Sequence, residues 1–97
     1  MIKKETYKPT EGSDDLRDVF AKKIGPVYDH IIYLEEDSKT GEKIYYTDDV
    51  TIFVGNSYLS LVGSSHEERQ KVRETLEQRL SIKLKIFESQ TEENISK

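Results

Sequence analysis

From Val50 to Ser65 the chain runs sixteen residues without a charge, although Asp, Glu, Lys and Arg supply 35% of its 97 residues. Strands at a sheet edge normally carry charges that block further pairing. An uncharged ribbon therefore belongs at the centre of a sheet or against another macromolecule. Val50 to Val54 and Ser57 to Val62 read as two strands, and Gly55-Asn56 between them suits a two-residue type II′ turn. That loop sets Val54 opposite Ser57, Ile52 opposite Leu59 and Val50 opposite Leu61, with Thr51, Phe53, Tyr58 and Ser60 on the other face.

Charge is distributed unevenly around this hairpin. From Asp29 to Asp49 seven acids face two bases, a balance of −5; from His66 to Lys85 four acids face six bases, a balance of +2. The chain as a whole carries −4. An acidic segment, a neutral hairpin and a mildly basic segment thus follow one another.

The flanking segments fit one small α+β domain. Asp14 to Ile24 places Leu16, Val19, Phe20 and Ile24 on one helical face. Ser13 or Asp14 caps its start, and Gly25-Pro26 ends it. Val27 to Glu35 and Lys43 to Thr47 read as strands around the turn cluster Asp37 to Gly41. Ser65 and Glu68 form a capping box for a helix from His66 to Leu80, with Val72, Leu76 and Leu80 as its apolar stripe. Ser81 to Phe87 alternates, with Ile82, Leu84 and Ile86 opposite Lys83 and Lys85. The expected order is α-β-β-β-β-α-β: a two-layer sandwich with a mostly antiparallel five-stranded sheet and two helices on one face. The last strand lies either parallel to its partner or at a far edge. Residues 1–12 read as a flexible arm, with a short strand from Ile2 to Tyr7 as the alternative. Residues 13–88 form the domain, and residues 89–97 read as a polar, flexible tail.

The sequence points away from chemistry. Without cysteine there is no disulfide framework, thiolate metal site or cysteine nucleophile. His30 and His66 stand 36 residues apart, too sparse for a zinc site. No Gly-x-Ser-x-Gly elbow and no phosphate-binding glycine loop occur. No catalytic residue, metal or cofactor is expected. No apolar run is long enough for a membrane span and the first residues lack a signal-peptide core, so a cytoplasmic location is expected.

A non-enzymatic interaction or regulatory module is the leading expectation. Its contacts would be the aromatic pair Phe53 and Tyr58, through which it could dimerise, and the acidic residues Glu35, Glu36, Asp37, Asp48 and Asp49. The acidic set could mimic DNA phosphates and occupy a basic nucleic-acid-binding protein. The alternative is a nucleic-acid binder using Arg69, Arg73, Arg79, Lys83 and Lys85, although the acidic strands would repel phosphates. A small-ligand domain using Tyr28, Asp29 and His30 is the third reading.

Overall fold

The computed structural model describes residues 2–12, 14–24, 27–28, 31–47 and 49–91. The fold is α+β. Two helices, α1 (Leu16–Lys23) and α2 (His66–Leu80), pack on an antiparallel sheet of β1 (Lys3–Pro9), β2 (Val27–Tyr28), β3 (Ile31–Glu36), β4 (Lys43–Thr47), β5 (Val50–Val54), β6 (Leu59–Gly63) and β7 (Leu84–Thr91). The spatial order is β2-β3-β4-β5-β6-β1-β7. Six of these strands have five or more residues, and β2 has two.

This corrects the five-strand expectation in two places. Of the two readings of the N-terminal segment the structure takes the strand over the arm: Lys3–Pro9 has a neighbour on each side, β6 and β7, both antiparallel. The single strand expected over Val27 to Glu35 is instead the short β2–β3 hairpin, with Tyr28 opposite Ile31. The last strand takes the far edge, antiparallel to β1, and runs on through Ser89-Gln90-Thr91, residues expected in the tail. Ser13, Gly25, Pro26 and residues 92–97 lie outside the described residues.

Helix α1 starts later than the spacing suggested. Asp15, rather than Ser13 or Asp14, is the N-cap; its carboxylate accepts the Arg17 backbone N–H at 2.9 Å. Helix α2 matches its expected span, and the Ser65 hydroxyl accepts the Glu68 N–H at 3.2 Å. Leu16 and Phe20 from α1 and Val72, Leu76 and Leu80 from α2 join Ile31, Tyr45, Ile52, Val54, Leu59 and Leu61 from the sheet in one core. Burying each such side chain is worth about 1.5–3 kcal/mol. Phe20 and Tyr45 pack with ring centroids 4.3 Å apart. Tyr33 lies edge-on to Tyr45 at 5.2 Å, which puts it on the core side of the sheet.

The central hairpin is shifted by two residues. Val54 pairs with Leu59, Phe53 with Ser60 and Ile52 with Leu61. Gly55 and Tyr58 close the loop through a 2.9 Å bond from the Gly55 N–H, so Asn56-Ser57 form the turn. Among the described residues only Gly12, Gly41 and Ser81 have positive φ, so a type II′ turn at Gly55-Asn56 is not formed. Gly55 is required for another reason: a Cβ there would collide with the Tyr58 ring. An even slip preserves facing. Val50, Ile52, Val54, Leu59 and Leu61 still point into the core and Phe53 and Ser60 away from it.

Strand β1 alternates around an internal ion pair. Glu5 and Tyr7 point under α2 and are 5% and 3% exposed. The Arg69 Nε donates to Glu5 Oε1 at 2.9 Å and its Nη1 to the Gly63 carbonyl at 2.7 Å. The Tyr7 hydroxyl donates to Glu5 Oε1 at 3.3 Å and accepts from Gln70 Nε2 at 3.3 Å. Burial raises the Tyr7 phenol above its ordinary range.

Candidate interaction face

Both helices cover the same face of the sheet, so the opposite face carries no second layer among the described residues. Strand register arranges its side chains in rows. One row reads Ile32, Tyr46, Thr51, Val62, Lys4 and Gln90 across β3-β4-β5-β6-β1-β7. The next reads Glu35, Ile44, Phe53, Ser60, Thr6 and Glu88. Ile32, Leu34 and Tyr46 are 48%, 54% and 40% exposed, and Ile44, Phe53 and Val62 are half-buried. The Thr6 and Ser60 hydroxyls bond at 2.8 Å in the middle of the face. The Lys4 ammonium lies 5.7 Å from the Phe53 ring centroid, and that of Lys8 lies 4.0 Å from the Phe87 ring centroid.

Phe53 therefore lies on this open face. Tyr58 does not act as its free companion. It folds back over Gly55 at the hairpin end, and its hydroxyl donates a short hydrogen bond to Glu42. Burial first, then the Glu42 carboxylate, push its phenol up to about 12. Glu42 also accepts from the Thr40 hydroxyl at 3.2 Å. Nearby, Arg17 donates to the Gly41 carbonyl at 3.0 Å and pairs with Asp15 at 2.6 Å. That guanidinium holds the Asp15 carboxyl below the usual carboxylate range. These groups tie α1 to the β3–β4 and β5–β6 turns, as does the Leu16 N–H donating to Asn56 O at 2.8 Å.

The expected acidic set is not brought together. Glu35, Glu36 and Asp37 end β3, and Asp37 accepts the Lys39 and Thr40 N–H groups of its own turn. Asp49 lies at the other end of β4, four residues of strand or roughly 14 Å away. That exceeds the screening length of about 8–10 Å at physiological salt. Asp48 lies outside the described residues.

The basic set is also divided. Arg69 is internal, 2% exposed and spent on Glu5 and Gly63, so it cannot reach a phosphate. The α2 stripe reads Arg69, Val72, Leu76, Leu80, and an arginine in such a stripe gives no apolar signal. Arg73 bonds Gln70 at 3.0 Å and Glu77 at 3.2 Å. Arg79 donates to the Lys23 carbonyl at 3.3 Å. Lys83 precedes β7, and Lys85 lies on the open face opposite Lys8.

Of the third set, Asp29 and His30 lie outside the described residues, and Tyr28 is described only in its backbone pairing. A cleft of about 270 Å³ opens elsewhere, between α1 and the end of α2, lined by Pro9, Leu16, Val19, Leu80 and Ile82 with Glu11, Asp14 and Lys23 around it. Among the described residues no three His, Asp or Glu side chains gather as a metal site, and no helix is long and apolar enough to cross a membrane. Sequence reasoning missed Ile32, Leu34 and Tyr46 as surface groups; their signal was the apolar-rich β3 and β4 themselves, which hide which face is covered. Comparison with known proteins returns no matching family model, no matching curated protein and no matching solved structure.

Proposed function

We propose that this protein is a cytoplasmic, non-enzymatic interaction module whose contact surface is the helix-free face of the sheet. The observation that carries the reading is the apolar band Ile32, Leu34, Ile44, Tyr46, Phe53 and Val62, continuous across β3 to β6 on a face with no covering layer among the described residues. Contiguous apolar patches on soluble monomers are small, and the larger ones mark association sites. Aromatic and aliphatic groups at the centre with lysines and carboxylates at the rim match the anatomy of protein–protein contacts. The split of the acidic residues between two ends of β4 and the burial of Arg69 make the other two macromolecular readings weaker fits.

Photo-crosslinking inside the cell of origin tests this. A photoreactive residue is placed at Leu34 or Tyr46 on the open face, or at Lys71 on the exposed side of α2. Protein adducts are expected from the first two positions and not from the third. An absence of adducts at positions 34 and 46, or equal yields at position 71, would overturn the reading.

A further inference from the structure

We infer that the occupant of the open face is a second copy of this chain, stacked face to face about a two-fold axis that runs along β5 and β6. The inference rests on the reading of that face as a contact surface and adds the partner and the geometry.

Charge across the face is self-complementary. The neutral β5–β6 hairpin is its middle, with β4 and β3 on one side and β1 and β7 on the other. The β3–β4 side carries Asp37 and Glu42 at the turn end, with Glu35 one row in, and the β1–β7 side carries Lys8 and Lys85 at that same end, with Glu88 one row in. An axis along the strands exchanges the two sides and keeps each end where it is. It sets Lys8 and Lys85 of each copy over Glu42 and Asp37 of the other, at both flanks at once, and leaves one like-charged contact, Glu88 over Glu35. It also sets Lys4 over Tyr46 and Phe87 over Leu34. An axis across the strands keeps each flank over itself but exchanges the ends, so Asp37 and Glu42 would lie over the Ile32–Tyr46 end and Lys8 and Lys85 over the Lys4–Gln90 end, with no opposite charge to meet either. Self-complementarity of this kind is what an isologous two-fold contact needs.

A second observation points the same way. Lys8 and Lys85 sit directly opposite each other across β1 and β7. Like charges so placed are destabilising, and among the described residues the contact that Lys8 makes is with the face of Phe87. A carboxylate arriving from above neutralises that pair. The sheet's edges are poor rivals as docking sites. One is the two-residue β2; the other, β7, carries Lys85 and a bulge at Phe87 opposite the Thr6–Tyr7 step, both features that discourage strand addition. Six strands about 4.8 Å apart and about 17 Å long give a face near 24 by 17 Å. That footprint, about 400 Å² on each copy, falls below the range of stable interfaces, so the dimer is a weak, transient one.

Sedimentation velocity on the full chain across a concentration series is the first measurement. A monomer–dimer equilibrium weakened by salt is expected. Lys8→Glu with Lys85→Glu should weaken it at least about tenfold, and mixing that variant with an Asp37→Lys chain should restore association. The chain has no cysteine, so two surface variants report geometry even if the charge variants fold poorly. Lys4→Cys and Tyr46→Cys chains, mixed and oxidised, should give chiefly the mixed disulfide. A monomer at every concentration overturns the inference, and so does a dimer that crosslinks Tyr46→Cys chiefly to itself. If the chain is monomeric while positions 34 and 46 crosslink to a different protein or to nucleic acid in the cell, self-association is overturned. In the protein case the contact face survives; a cell that yields no adduct there removes both.

Discussion

Replacing Arg69 with methionine should be the most damaging single change to this fold. The guanidinium is 2% exposed and makes two bonds, to Glu5 at 2.9 Å and to the Gly63 carbonyl at 2.7 Å. Removing it leaves the Glu5 carboxylate under α2 with only the Tyr7 hydroxyl at 3.3 Å. Breaking one side of a buried pair costs about 3–5 kcal/mol because the remaining charge is uncompensated. A domain of this size has about 5–15 kcal/mol in total. At about 4–8 °C per kcal/mol, Arg69→Met should lower Tm by about 12–40 °C. Glu5→Leu combined with Arg69→Met removes both charges and should return to within about 1–2 kcal/mol of the parent, the residue of the loss being the Gly63 carbonyl. Urea denaturation followed by circular dichroism measures all four corners of the cycle. An Arg69→Met loss below about 1 kcal/mol, or a double variant no better than the single one, would refute the reasoning. Hydrogen exchange should place the loss first in β1, since the pair is what anchors that strand beneath α2.

Three further outcomes are expected. Gly55→Ala drives a methyl into the Tyr58 ring and should cost about 1–3 kcal/mol in a thermal melt; an unchanged Tm would mean that the ring moves aside freely. Tyr58 should ionise near its raised value of about 12, so its contribution to stability is complete below pH 10, the ordinary phenol value, and disappears as the pH climbs towards 12. An ultraviolet titration comparing the parent with Tyr58→Phe checks this, and a Tyr58 that ionises with the exposed tyrosines contradicts it. Asp15 is held below the usual carboxylate range by Arg17, so its contribution is present above about pH 4 and fades as acid carries the pH through the lowered value. Asp15→Ala should cost about 1 kcal/mol, and Asp15→Asn less, because the amide oxygen still caps Arg17 N–H; equal losses would show that the ion pair, not the cap, matters.

The sequence by itself determined the parts whose causes are local. Ser65 and the stripe Val72, Leu76, Leu80 specify α2, because capping and 3.6-residue periodicity act within one helix. The uncharged hairpin and the facing of its residues were also legible, because strand alternation survives a register error of two. Its placement at the sheet's centre was one of two readings left open. Only the tertiary structure decided the role of Lys3–Pro9. Its inward positions include a glutamate, Glu5, beside Tyr7, so the strand shows no run of apolar alternation, and the partner of Glu5 is an arginine hidden in the apolar stripe of α2. The two residues are 64 apart in the chain. Each looks like a surface charge until the other arrives, and no local pattern can announce a pair that exists only after the chain has closed. The open face depends on the same closure, because which side of an apolar strand is exposed is settled by where the helices land.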